Sequence, residues 1–258
     1  MLRADLEKRF ELAKNIASSA SSFLLSHESL RSQISQKAEN DYVTAADKEC
    51  ENLIISRIRD SFPDDGIYGE ESGDHTAGNA SKWIIDPIDG TVDFMASFPN
   101  YTISIAFQDE EGLAFGVVMV PRQNEIFSAL RGCGAFLNEK PIHTDELTPL
   151  GKSLAILVPP HRRHEYLHSY IEQMERFYDI VSDMRSIGSA ALSLCYVAAG
   201  RCSIYYEKVL YLYDIAAGLV ILSEAGGKYS LSQSEQGWFT VAASSRKAYE
   251  KMMEAVDA

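Results

Sequence analysis

The chain has 258 residues, 46% of them hydrophobic and 24% charged, enough apolar material for one substantial core or two fused halves without a special staple. A formal charge of −13 argues against general nucleic-acid binding, which relies on Lys and Arg to neutralise phosphates, and no stretch approaches the roughly 20 apolar residues that span a bilayer. The four cysteines, Cys50, Cys133, Cys195 and Cys202, form no Cys-x-x-Cys pair and the N-terminus has no basic-then-apolar leader, so a reducing, cytoplasmic location is expected.

From the N-terminus, Leu6, Phe10, Ala13, Ile16, Ala17, Ala20, Phe23 and Leu24 recur mostly three and four apart and predict an amphipathic helix, in which Ser18 to Ser22 reads as a small-residue packing surface. Ala46 to Phe62 predicts a second helix through Cys50, Leu53, Ile54 and Ile58, stopped by Pro63 and the Asp64-Asp65-Gly66 turn. Gly73 to Ser81 has loop composition and is a candidate lid. Thr102 to Asn138 carries short β-type runs broken at Asp109-Glu-Glu-Gly112, Arg122-Gln-Asn124 and Arg131-Gly-Cys-Gly134, the pattern of an antiparallel meander. After about Glu139 strands and helices interleave: a strand at Leu154 to Val158, a helix at Tyr166 to Phe177, a strand at Ile180 to Met184, a helix at Ser189 to Ala199 and a strand at Cys202 to Tyr206. A buried helix from Asp214, a strand pair ending near Ala243 and a charged C-terminal helix complete the chain, which implies layers of sheet and helix. The basic His161-Arg-Arg-His164, with His168 nearby, reads as a solvated segment without a catalytic role.

The most informative stretch is Trp83-Ile-Ile-Asp-Pro-Ile-Asp-Gly-Thr-Val-Asp-Phe94, with Glu70 and Glu71 shortly upstream. An apolar run ends in Asp86 and Asp89, and Pro87 and Gly90 bend the backbone between and after them, so two carboxylates are held at a strand end. Carboxylate and carbonyl oxygens suit Mg²⁺, Ca²⁺ or Mn²⁺, and neither imidazole nor thiolate is present. At Gly90 and Thr91 small side chains let backbone N–H groups approach an anion, helped by any helical turn beginning there. An isolated Asp-Pro or Asp-Gly is normally a turn, but the full string is much rarer than its parts. An EF-hand loop opened by Asp86 would put Ile88 at its third position and Ser97 at its twelfth, so that reading fails. Haloacid-dehalogenase-like phosphatases space their aspartates two apart, whereas here they are three apart. In Asp214-Ile-Ala-Ala-Gly218, followed by Glu224-Ala-Gly-Gly227, helix capping accounts for Asp214 as readily as metal ligation does.

Asp86-Pro-Ile-Asp-Gly-Thr91, preceded by Gly69-Glu-Glu-Ser72, resembles the metal-binding signature of the inositol monophosphatase family of Mg²⁺-dependent phosphatases, and the Asp214 segment resembles that family's second signature. The resemblance, from Lys37 to Gly227, implies an α+β fold, the five-layer α-β-α-β-α sandwich of the inositol monophosphatase and fructose-1,6-bisphosphatase type. Residues 1–138 would form an N-terminal half with the antiparallel sheet and main metal motif, and 139–258 a C-terminal α/β half with the second motif, in one catalytic unit. Two or three Mg²⁺ ions are implied: Glu70, Asp86 and the Ile88 carbonyl on one, Asp86, Asp89 and Asp214 on a second, and Glu71 on an additional weaker ion. The implied reaction is hydrolysis of a phosphate monoester by metal-activated water. Glu70 and Thr91 would orient the water, and Asp47 would hydrogen-bond the Thr91 hydroxyl and make it a better proton acceptor. Taken alone, Asp47 also reads as a charge at the start of a helix. Lys37 sits near a family lysine.

For the substrate, Gly90 and Thr91 would cradle phosphate, while Gly188, Ser189 and Ala190, with Glu207 and Asp214, would meet the organic half. Glu207, seven residues before Asp214 as in the inositol enzymes, suits adjacent hydroxyls; alone it reads as a solvent-facing strand-end charge. The implied substrate is inositol 1-phosphate or another small polyol or nucleoside monophosphate. Adenosine 3′,5′-bisphosphate or fructose 1,6-bisphosphate would need extra cationic groups, and Lys208 offers no cluster. Two positions depart from the family pattern, Tyr213 for a tryptophan and Val92-Asp93 for Thr-Asn. The resemblance further implies Li⁺ inhibition and a homodimer, with Val209-Leu-Tyr-Leu-Tyr213 serving equally as oligomer surface or core. Some bacterial members act in transcription complexes by protein contact, so a regulatory partner role independent of catalysis is the alternative.

Overall fold

The computed structural model describes residues 1–38, 41–75, 81–160 and 163–257, with the side chains of residues 37, 38 and 41 outside that description. The proposed role of Lys37, the central part of the candidate lid and His161-Arg162 therefore lie outside the described residues.

The expected helices appear as α1 (Arg3–Ser26) and α2 (Ala45–Ser61), separated by a hairpin of β1 (Ile34–Ala38) and β2 (Asp41–Thr44) that has no clear apolar alternation to announce it. Leu6, Ala13, Ile16, Ala17, Ala20 and Leu24 of α1 and Ala46, Cys50, Ile54 and Ile58 of α2 are the buried stripes. The serine patch is a packing surface only in part: Ala20 and Ser21 are buried, while Ser18 and Ser22 are exposed and donate to the carbonyls of Lys14 and Ser18, a back-bond that only a short hydroxyl side chain reaches.

Next come β3 (Gly66–Gly69), β4 (Gly73–Asp74), β5 (Lys82–Asp89) and the short helix α3 (Thr91–Met95), then β6 (Thr102–Asp109), β7 (Gly112–Val120), β8 (Glu125–Leu130), β9 (Ala135–Leu137) and β10 (Lys140–Ile142). The start of the proposed lid is thus an edge strand, antiparallel to β3. Strands β6 to β9 are the predicted meander, with its turns at the predicted breaks. All eight strands form one sheet in the order β10-β9-β8-β7-β6-β5-β3-β4, which runs past residue 138 to Ile142.

The rest of the chain gives β11 (Leu154–Leu157), α4 (Leu167–Tyr178), β12 (Asp183–Arg185), α5 (Ala190–Ala198), β13 (Ile204–Leu210), α6 (Leu212–Glu224), β14 (Lys228–Gln233), β15 (Phe239–Ser244) and α7 (Tyr249–Asp257). Its sheet has the order β12-β11-β13-β15-β14. Strand β12 starts later than its apolar residues predict, because the N–H groups of Ile180 and Val181 turn back to the carbonyl of Phe177 and close the end of α4.

Three buried clusters fix the layering. One lies between α1, α2 and the eight-stranded sheet, one joins both sheets to α5 and α6, and one lies between the five-stranded sheet, α4 and α7. The order is therefore helix, sheet, helix, sheet, helix, as the resemblance implied. Helix α6 is buried at every position from Asp214 to Leu222, as its unbroken apolar run requires of a helix between two sheets. Val209 and Leu210 are buried, and the half-buried Leu212 and Tyr213 pack against the large cluster between the sheets, so core packing accounts for most of this segment.

Strand β7 and α6 meet backbone to backbone at Gly116, where a Cβ would lie 2.2 Å from the carbonyl oxygen of Ala217. The substitution Gly116→Ala must push α6, and Asp214 with it, off the sheet. Urea unfolding is expected to report a loss of about 1–3 kcal/mol, the usual cost of overpacking a filled core.

Candidate active site

Side chains three residues apart on a regular strand point to opposite faces, so Asp86 and Asp89 could not meet on an unbroken β5. The pairing of β5 with β6 shifts register between them, at Pro87-Ile88. Pro87 has no N–H for the ladder, and the Ile88 N–H turns inward to Asp86 Oδ1 at 3.0 Å. This bulge brings both carboxylates to one side. Asp214 arrives from the first turn of α6, and one oxygen from each of Asp86, Asp89 and Asp214 lies within 4.8 Å of the others. Asp214 is the third residue of the helix rather than its cap; its Oδ2 accepts the Tyr211 N–H at 2.6 Å. All three are buried.

Glu70 follows β3, hydrogen-bonded through its N–H to the Ile85 carbonyl at 3.1 Å, and its carboxyl hydrogen-bonds Asp86. Glu71 is half-buried, and its N–H donates to Glu51 Oε1 at 3.1 Å. Glu51 was not singled out by the sequence reading, since nothing distinguishes it from an ordinary helix glutamate. It lies so close to Gly69 that a Cβ there would be 2.1 Å from its carboxylate. Asp47, buried near the start of α2, accepts the N–H and hydroxyl of Thr44 at 2.7 and 2.6 Å. The Thr91 hydroxyl lies 3.2 Å from Asp47 Oδ1 and 3.2 Å from the Ile88 carbonyl, so the expected Asp47 to Thr91 contact is present together with the helix-start contact.

Asp89 ties the two motifs together. Its Oδ2 accepts the Ser189 hydroxyl at 2.6 Å and the Ala191 N–H at 2.8 Å, and Oδ1 accepts the Ala190 N–H at 3.3 Å. The loop Gly188-Ser189-Ala190 is thus fixed against the metal motif, and Ser189 caps α5 by accepting the Leu192 N–H. Gly90 has φ 96°, and a Cβ there would approach the Gly188 carbonyl to 3.2 Å, which accounts for glycine at the junction of β5 and α3.

Burial sets the electrostatics. Desolvation, reinforced by Glu70, Asp89 and Asp214, raises Asp86 well above the usual carboxylate range. Desolvation also pushes Asp89 up to about 6 against the opposing bonds from Ser189, Ala191 and Ala190, and Asp47 up to about 6 against those from Thr44. Among the described residues no cation is named with these causes, and the all-oxygen donor set fits a hard divalent ion.

Asp89, Gly90, Thr91, Gly188, Ala190, Glu207 and Asp214 line a single cavity of about 450 Å³. Glu207 is not the solvent-facing charge it resembles when read alone: it is buried and accepts the Tyr205 hydroxyl at 2.7 Å. It precedes a bulge at Val209, whose φ of 66° is unusual for a β-branched residue and marks local strain. The sequence reading missed Tyr42, Val158, Pro159, Ser186 and Leu210 on the wall, ordinary residues with no motif, and His164, set aside with the basic segment.

The family model for the inositol monophosphatase family matches residues 5–257. The chain belongs to this family. Among curated relatives of the inositol monophosphatase family, it is 41% identical over 193 residues to the Nus factor SuhB of Haemophilus influenzae, covering 74% of this chain and 72% of that one. The Nus factor SuhB of Pasteurella multocida is 39% identical over 196 residues, covering 76% and 73%. The extragenic suppressor protein suhB of Bartonella henselae has a solved structure that matches with TM-score 0.89 at 28% identity, covering 95% of this chain and 96% of that one. The inositol monophosphatase from Anabaena matches with TM-score 0.86 at 29% identity, covering 98% and 96%. Among the described residues no helix is long and apolar enough to cross a membrane.

The raised carboxyl groups make stability depend on pH and metal. Asp47 and Asp89, near 6 when folded and 3.8 as free side chains, keep their protons in the fold after the unfolded chain has lost them. Their contribution is therefore full below about pH 4 and lost as pH rises through about 6. Mg²⁺ is expected to reverse this by favouring the ionised form, raising the melting temperature by several degrees at pH 7.5 and by much less at pH 5; calorimetry against a chelator control measures the difference.

Proposed function

We propose that the chain hydrolyses phosphate monoesters with the help of Mg²⁺, with inositol 1-phosphate as the leading substrate. The observation that carries this reading is the convergence of the Asp86, Asp89 and Asp214 carboxylates beside a cavity that also presents Glu207. In this reading Asp86, Asp89 and Asp214, with Glu70 and the Ile88 carbonyl, hold two ions, and Glu71 assists a third. Bound Mg²⁺ supplies neutralising charge and a more acidic water.

The chain's own groups do the rest. The Thr91 hydroxyl takes a proton from the attacking water as it passes its own to Asp47 Oδ1, and Asp47 is held in place by Thr44. Glu70 orients the same water from the opposite motif. Gly90 and Thr91 bring N–H groups to the phosphate oxygens, and Glu207, fixed by Tyr205, accepts hydrogen bonds from hydroxyls of the organic half, with Gly188, Ser189 and Ala190 beside it. The unpaired state of all four cysteines agrees with a reducing, cytoplasmic setting.

Phosphate release from inositol 1-phosphate is expected to require Mg²⁺ and to fall by at least about a hundredfold in Asp89→Asn, in which the folded state persists by circular dichroism. An Asp89→Asn protein with near wild-type turnover would sink the assignment.

A second reading follows from relatives named Nus factor SuhB: the chain also joins a transcription complex by protein contact. Pull-down of RNA polymerase from the native organism's extract, unchanged in Asp89→Asn, is the expected outcome if that role is independent of catalysis.

A further inference from the structure

Asp93, the third residue of α3, lines the same cavity as Thr91 and Glu207. Its Oδ2 is out of contact with solvent and has no hydrogen-bond partner among the described residues. That sets it apart from its neighbours. Asp47 is held by Thr44, Asp86 by the Ile88 N–H, Asp89 by Ser189, Glu207 by Tyr205 and Asp214 by the Tyr211 N–H. A carboxylate retained for structure alone would be expected to have donors, because an unsatisfied buried acceptor is unfavourable.

The carboxylate is also confined. Its oxygens press on Gly188, where a Cβ would lie 2.8 Å from Oδ2 and 3.0 Å from Oδ1. Gly188 therefore leaves the space that Asp93 occupies, and the carboxylate stands beside the loop that faces the organic half of the substrate in the hydrolase reading above. Desolvation pushes its carboxyl up to about 6, so it is ionised at pH 8.

We propose that Asp93 is a specificity-determining residue, whose carboxylate accepts a hydrogen bond from a hydroxyl of the substrate's organic half and repels a second phosphate there. This inference rests on the hydrolase reading and narrows its substrate class to hydroxylated monophosphates over bisphosphates. A substrate hydroxyl reaches the carboxylate from the cavity that Asp93 lines, whereas an anionic substituent meets two carboxylates, Asp93 and Glu207, in the lining of that cavity.

The test is steady-state phosphate release at pH 8 in saturating Mg²⁺, with inositol 1-phosphate and fructose 1,6-bisphosphate, for wild type, Asp93→Asn and Asp93→Ala. Wild type is expected to prefer the monophosphate. In Asp93→Asn the ratio of kcat/KM values should shift about tenfold toward the bisphosphate, mainly through KM, as expected for removal of one partly screened like charge. Asp93→Ala should in addition lose affinity for inositol 1-phosphate, since it keeps no acceptor. Both variants should melt no lower than wild type, because a buried charge without a partner has been removed. A ratio within twofold of wild type in both variants overturns the inference while leaving the hydrolase reading intact. So does an equal rise in the Mg²⁺ concentration for half-maximal activity with both substrates, read in a parallel Mg²⁺ titration of each variant, which would make Asp93 a cation ligand instead. A wild-type protein inert on every phosphate ester withdraws the hydrolase reading and this inference with it.

Discussion

Several carboxylates are buried side by side, and the rest of the site is arranged around that fact. Asp86, Asp89 and Asp214 are each almost closed to solvent and near enough to share one ion. Such a cluster is unfavourable in both desolvation and repulsion, and Asp86 and Asp89 respond by holding protons above the normal range. The fold limits the penalty by giving each oxygen that it can a donor: the Ile88 N–H for Asp86, the start of α5 for Asp89 and the Tyr211 N–H for Asp214. A divalent cation would complete what backbone donors cannot, since it neutralises charge and suits an oxygen-only donor set.

The same constraint explains why the architecture has a middle helical layer. Helices α5 and α6 are buried between two sheets, so their first turns are held rigidly against the bulged end of β5. Asp89 then does two things with one side chain: it turns an oxygen toward the carboxylates of Asp86 and Asp214 and anchors the loop at Ser189. A shift of α6 away from Gly116 would move Asp214, and a change at Asp89 would free the Gly188-Ser189-Ala190 loop, which couples the core packing of the sandwich to the lining of the cavity.

Periodicity made the helices legible, because α1 and α2 each bury one stripe and α6 buries all its faces. Alternation and turn residues made the meander legible as well. The motif residues could be named because an Asp-Pro-x-Asp-Gly-Thr string and its upstream glutamates are rarer than any turn. The hairpin of β1 and β2 was not legible, since it lacks apolar alternation, and β12 was misplaced because apolar residues there close a helix instead of entering a strand. Glu51, Tyr42 and His164 belong to the site or its support through contacts made across the fold, which no local pattern encodes.

The sequence alone determined the inventory: which oxygen ligands are available, in what order, on which kinds of element, and that their chemistry favours a hard cation beside an anion cradle. It determined this because ligand hardness and helix or strand period are properties of residue types and spacing. Only the tertiary structure decided that Asp86 and Asp89 face the same way, that Asp214 joins them from the other half, that Glu207 is buried and fixed, and that Asp93 has an oxygen with no partner. Those outcomes depend on a bulge, on two helices wedged between sheets and on which groups are shut off from water, and each is fixed by contacts between residues far apart in the chain.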